Sequence, residues 1–172
     1  MFDEGKASRC MYQILKAFRY LQSKDIIHRD LKPENILRCF DSLKIADFGW
    51  SVYAPDSRLR RTFCGTLDYV PPEMVQGEKY DFHTDNWSIG ILAFELLTGK
   101  PPFEKKSRMD TLDSIVSNDL SLPDSLSNDA KDFIRQLLSP NPFDRMEIDQ
   151  ALKHSFISRY NQNQEEQELP SS

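Results

Sequence analysis

The chain has 172 residues, enough for one domain that buries a core without disulfide or metal staples. Its 27 acidic against 22 basic side chains leave a net charge of −5, which argues against a nucleic-acid or anionic-membrane surface as partner. Cys10, Cys39 and Cys64 are odd in number, widely spaced and outside any C-x-x-C pair, which argues against disulfides and zinc and for a reduced intracellular compartment. No charged-then-apolar leader opens the chain, and the most apolar run, Trp87 to Leu97, is too short for a bilayer and contains Glu95. A soluble protein is expected.

In chain order, Asp3 to Gln22 predicts an amphipathic helix, with Met11, Ile14, Leu15, Phe18 and Leu21 on one stripe and Asp3 as its cap. Ser23-Lys24-Asp25 ends it, and Ile26-Ile27 lead into a stretch that holds Asp30, Lys32, Asn35 and Asp47 in two short loops. Between the loops, Asn35 to Asp47 reads as a small hairpin turning at or near Phe40-Asp41-Ser42, where Leu43 and Ile45 alternate with Lys44. Periodicity is lost from Ser51 to Glu73, where Arg58, Arg60 and Arg61 precede Thr62. Thr84 to Leu97 is apolar on all sides and predicts a buried central helix stopped by Gly99 and Pro101-Pro102. Further helices are expected on the stripes Met109, Leu112, Ile115, Val116 and Ala130, Phe133, Ile134, Leu137, Leu138, the second capped by Ser127, Asn128 or Asp129. A short one covers Ile148 to Lys153. His83 and His154 show no carboxylate or Cys constellation nearby, so surface or turn roles are the default. From about Arg159 onward Gln, Asn, Glu and Ser predict disorder.

His28-Arg29-Asp30 with Lys32 and Asn35 matches the pattern H-R-D-L-x-x-x-N, and Asp47-Phe48-Gly49 matches D-F-G. The chain resembles protein kinases. Cys64 to Met74, C-G-T-L-D-Y-V-P-P-E-M, and Asp47 to Pro55, D-F-G-W-S-V-Y-A-P, resemble the Aurora family of serine/threonine kinases, with Pro71 where Ala is usual in A-P-E. The resemblance implies a mainly α fold with a small β-hairpin, the large C-terminal lobe of the protein-kinase-like fold, over residues 1–157; the polar composition beyond it predicts a disordered tail at 158–172. The chemistry gives these residue types a reason: phosphoryl transfer needs a hydroxyl held in line with the γ-phosphate, and charge neutralised by Mg²⁺. Asp30 would orient the hydroxyl and Lys32 would face the transferred phosphate. Asn35 and Asp47 would take the metal, since Mg²⁺ favours oxygen ligands.

Other roles come from the resemblance alone. Glu34 and Leu37 join Lys32, Asn35 and Asp47 in the nucleotide site, Leu37 as a floor beneath adenine. Asp85, which could also be an acid placed by the helix dipole, holds the backbone of the catalytic loop; Arg145 pairs with Glu73. Thr62 takes the place of the activation-loop phosphosite, with Arg29 as its guanidinium partner, and Lys32 and Thr66 sit in loops of the serine/threonine-specific form. The implied cofactors are ATP and Mg²⁺. Implied partners are protein substrates with Ser or Thr near basic residues and, where one is used, an activating protein; implied locations are cytoplasm or nucleus, with spindle or centrosome association. A Gly-rich loop, a strand Lys and its helix Glu are expected in a kinase and do not occur in these residues. The alternative is therefore a catalytically incompetent, kinase-like binding or regulatory module. The hairpin is also about one residue shorter than in typical relatives.

Overall fold

The computed structural model of the protein describes residues 1–55 and 62–165, so Arg58, Arg60, Arg61 and the last part of the expected tail lie outside the described residues. Helix α1 spans Glu4–Ser23. Asp3 stands in extended conformation before it and its Oδ1 accepts the Lys6 N–H at 2.8 Å, which satisfies one of the orphan donors of the first turn. The expected stripe is buried along its length, and the strand β1 (Ile26–Ile27) follows. A 3₁₀ turn at Pro33–Asn35 then delivers the chain to the hairpin of β2 (Ile36–Cys39) and β3 (Ser42–Ile45). Cys39 faces Ser42, so Phe40 and Asp41 alone make the turn. A two-residue hairpin turn demands positive φ, and Phe40 meets that demand at 53°.

Strand β4 (Val52–Tyr53) lies in the stretch expected to be irregular and pairs antiparallel with β1, Ile26 opposite Tyr53. Two residues carry no readable period. The helices after it are α2 (Pro72–Val75), α3 (His83–Thr98), α4 (Arg108–Val116), α5 (Asn128–Leu137), α6 (Ile148–Lys153) and α7 (Ser155–Glu165). Among the described residues the fold is mainly α with two small antiparallel sheets. Among the described residues no helix is long and apolar enough to cross a membrane.

Helix α3 is the centre of the core: Trp87, Ile89, Ile91 and Leu92 have no exposed surface, and α1 and α5 both pack on it. Gly90 sets the distance to α5. A Cβ there would lie 2.8 Å from Leu138 Cδ2 and 2.9 Å from Leu137 Cβ, closer than packed carbons approach.

Three expectations need correction. On α4 the buried residues are Thr111, Ser114 and Ile115, while Met109 is 65% exposed, because this short peripheral helix sinks a more polar face than its apolar stripe suggested. Residues 158–165, expected to be disordered, continue α7. Polar composition hid the reason: Asn161 is buried against α1, its Nδ2 donating to Ser8 Oγ at 3.0 Å and to the Ile157 carbonyl at 2.7 Å.

The third correction concerns the histidines, both of which meet carboxylates. His154 Nε2 lies 3.0 Å from Asp132 Oδ2. His83 is buried between two acids, Nδ1 at 2.6 Å from Asp81 Oδ1 and Nε2 at 3.1 Å from Glu147 Oε1. Burial by itself lowers the imidazole pKa, but the bonds and charges of Asp81 and Glu147 outweigh it and leave His83 above its ordinary 6.5. A raised histidine contributes stability that is complete below pH 6.5 and is lost as pH rises through the folded value. Urea unfolding of the wild type should therefore weaken as pH rises above 6.5, and His83→Gln should flatten that part of the profile; parallel profiles would show that His83 is not charged in the fold.

Candidate active site

The site is assembled from two loops and a crossing segment. Asp30, Lys32 and Asn35 come from the loop between β1 and β2, and Asp47 follows β3. The hairpin brings its two ends together, since Ile36 faces Ile45 and the Ala46 N–H donates to the Asn35 carbonyl at 2.8 Å. Asn35 and Asp47, remote in sequence, are thereby placed at the same open end of one ladder.

Asp30 is 4% exposed and is held by three donors. Its Oδ1 accepts from Thr66 Oγ1 at 2.9 Å; its Oδ2 accepts from Asn35 Nδ2 at 3.1 Å and faces Lys32 Nζ at 3.1 Å. Lys32 Nζ also donates to Thr66 Oγ1 at 2.9 Å, which closes a ring of lysine, threonine and carboxylate. A carboxylate offers about four lone-pair sites, so with these three donors among the described residues Oδ1 keeps room for one more, such as an incoming hydroxyl. Asn35 Nδ2 donates as well to the Asp30 carbonyl at 2.8 Å, and this fixes the amide with its oxygen as the remaining acceptor.

Thr66 reaches Asp30 because the segment at Cys64-Gly65-Thr66 lies directly on the loop. Gly65 has φ of 92°, and a Cβ on it would stand 2.6 Å from the Arg29 carbonyl oxygen. No other residue fits there without moving backbone.

The loop itself is strained and braced. Arg29 adopts φ of 69°, a left-handed conformation that costs a residue with a Cβ roughly 1–2 kcal/mol. Asp85, fully buried in the first turn of α3, accepts the His28 N–H at 2.8 Å and the Arg29 N–H at 2.9 Å. Burial pushes the Asp85 carboxyl up, opposed by those two backbone bonds and the neighbouring charge of Arg29. His28 ties the two loops together. Its Nδ1 accepts the Asp30 N–H at 3.3 Å, so Nε2 carries the proton and donates to the Ala46 carbonyl at 3.2 Å. The Phe48 ring packs edge-on against it at 5.0 Å.

Asp47 is exposed, and its φ of 60° is stabilised by the Gly49 N–H donating to Oδ1 at 3.1 Å. Leu37 is 56% exposed on β2, and Glu34 is exposed on the 3₁₀ turn. Thr62 is exposed too; the Arg29 guanidinium reaches it indirectly, through Tyr80. Sequence reasoning named neither Tyr80 nor the bracing role of His28. Glu73 and Arg145 stand further off as a buried bidentate pair, at 2.7 and 2.6 Å.

Carboxylates gather around Asp68 and Tyr69. Burial raises the Asp68 carboxyl and the charge of Glu104 adds to it; burial also raises the Tyr69 phenol, followed by its bond to Glu95 and the charges of Glu95, Glu34 and Asp68.

Comparison with known proteins supplies a context for this geometry. A family model described as protein kinase domain matches residues 1–157. The chain is 46% identical over 159 residues to an Aurora kinase of Saccharomyces cerevisiae, covering 92% of this chain and 43% of that protein. It is 49% identical over 160 residues to an Aurora kinase of Yarrowia lipolytica, covering 92% and 43%. Aurora kinase B of Mus musculus is 45% identical over 157 residues, covering 91% and 45%. The chain spans less than half the length of these relatives.

Proposed function

Because the chain belongs to the protein kinase domain family, we propose that it is the phosphate-transferring lobe of an Aurora-like serine/threonine kinase. The observation that carries this reading is the Asp30 carboxylate, fixed by Thr66, Lys32 and Asn35 with one acceptor position left over. A substrate hydroxyl bound there gives its proton to Asp30 as its oxygen takes the γ-phosphoryl group of ATP, and ADP leaves. Lys32, close to that carboxylate, stabilises the charge on the phosphoryl oxygens.

Protein kinases as a family use ATP and Mg²⁺. The Asn35 amide oxygen and the Asp47 carboxylate are the donor set that Mg²⁺ accepts, one or two protein oxygens with water and phosphate completing the shell. Bound there, the ion would neutralise charge between the phosphates. Leu37 presents an apolar surface to the adenine and Glu34 lies at the edge of the same nucleotide site. A covering Gly-rich loop and a strand lysine would have to come from outside this stretch; the relatives are more than twice as long as the matched segment.

Glu34, Asp68, Glu95 and Glu104 favour substrates with basic residues near the Ser or Thr, and an activating protein fits the same family reading. Thr62 is the regulatory phosphosite, where phosphorylation adds about −1.5 to −2 charges for Arg29 to meet. The three unpaired thiols suit a cytoplasmic or nuclear setting.

This lobe joined to a small lobe should transfer labelled phosphate from ATP to a basic Ser or Thr peptide, and Asp30→Asn should lower the rate at least about a hundredfold. Equal incorporation by the two proteins would overturn the assignment.

A further inference from the structure

Tyr80 is 2% exposed, yet its hydroxyl is fully used. It accepts from Arg29 Nη1 at 2.9 Å and donates to the Thr62 carbonyl at 2.9 Å. Arg29 is held a second time, Nε donating to the Trp50 carbonyl at 2.6 Å. The guanidinium carries five N–H donors, and these two bonds fix its plane while leaving the rest of the fork for another acceptor. The Cys64 thiol also lies against the Tyr80 hydroxyl, and among the described residues Arg29 and Cys64 are the charged or titratable groups that face it.

We propose that Tyr80 is a positioning residue that couples Thr62 to the Asp30 loop, holding the main chain of Thr62 and the Arg29 guanidinium on one hydroxyl so that a phosphate on Thr62 meets a cation already in place. The inference rests on the reading of Thr62 as a phosphosite and adds the residue through which the site acts. Without the hydroxyl, Arg29 keeps its bond to Trp50 as its one side-chain hydrogen bond among the described residues and regains rotamer freedom, and the Thr62 carbonyl is released from the fixed segment. A phosphate then has to order both partners itself, and part of the binding free energy goes into that ordering. With the hydroxyl present, charge-assisted bonds form to a guanidinium that is preorganised.

The test installs phosphothreonine at position 62 of the 172-residue chain and follows the phosphate by ³¹P NMR titration. The same chain in urea, which keeps the local influence of Arg58, Arg60 and Arg61, is the reference. A guanidinium held on the phosphate favours its dianion, so the second pKa, ordinarily about 6, should fall by about one unit on folding in the wild type. In Tyr80→Phe most of that fall should disappear, while the unphosphorylated variant melts within a few degrees of the wild type. Tyr80→Met fills the same space without a hydroxyl and gives the same reading should the phenylalanine variant not fold. A fall in the variants as large as in the wild type overturns the role of Tyr80 and leaves the phosphosite standing. No fall in the wild type overturns the pairing of Thr62 with Arg29, and the proposal with it.

Discussion

Arg145→Ala should lose about 3–5 kcal/mol of stability in a denaturant titration, the cost of leaving one partner of a buried ion pair alone. Both residues are 2% exposed, so water cannot take over when the guanidinium is removed. The two N–H···O bonds to Glu73, at 2.7 and 2.6 Å, are parallel and bidentate. The remaining three donors go to the carbonyls of Ser139 at 2.9 Å, His83 at 2.9 Å and Pro140 at 3.2 Å, so alanine strands these acceptors as well. An exposed pair would contribute only about 0–1 kcal/mol, and a loss in that range would mean that water reaches the carboxylate. Arg145→Lys should restore little, since an ammonium cannot bond both carboxylate oxygens in the guanidinium geometry. The double variant Arg145→Met with Glu73→Leu should lose less than Arg145→Ala, because no charge is left buried. The pair matters to the site through its position: Glu73 lies on α2, at the end of the segment that carries Thr66 onto Asp30.

How much of this was legible in the sequence depended on the range of the contacts involved. Helix α1 carries its evidence locally, in the spacing of Met11, Ile14, Leu15, Phe18 and Leu21 and in the capping Asp3. Helix α3 is apolar all round and could only be interior. In α4 and α7 the partner decides which face is buried, and a nine-residue amphipathic segment or a run of Asn and Gln does not disclose the partner. The site divides in the same way. Asp30, Lys32 and Asn35 lie within one short loop and were visible as a group, whereas Thr66 joins them across 36 residues and only a whole motif suggested it. Tyr80 carries no motif; its hydroxyl matters because the fold brings Arg29, 51 residues before it, and Thr62, 18 residues before it, to that one group. His83 shows the limit most plainly: Asp81 is two residues away and readable, but Glu147, 64 residues on, is placed beside the ring by the packing of α6.

Asp85→Ala should be as damaging as the loss of Arg145, and it should damage activity together with stability. The carboxylate is fully buried and its two oxygens take the N–H groups of His28 and Arg29. Each buried donor left without a partner costs about 1–3 kcal/mol, so the variant should lose roughly 2–6 kcal/mol. The backbone then gains by relaxing. Arg29 at φ of 69° holds about 1–2 kcal/mol of conformational strain, which the two bonds to Asp85 offset in the native loop. Released, Arg29 moves toward a right-handed or extended conformation and carries Asp30, the next residue, away from Thr66 and Lys32. A displacement near 1 Å at such a group is enough for about a hundredfold loss in rate. In a kinase containing this lobe, Asp85→Ala should therefore lower kcat about a hundredfold or more with little change in the KM for peptide, as expected for a residue that acts by positioning another. Asp85→Asn separates the contributions. Its amide oxygen can accept one of the two N–H groups while its NH₂ opposes the other, so its loss of stability should be smaller than that of alanine while its kcat still falls. If Asp85→Ala keeps both its denaturation midpoint and its kcat, the strained loop is held by other contacts and Asp85 does not brace it.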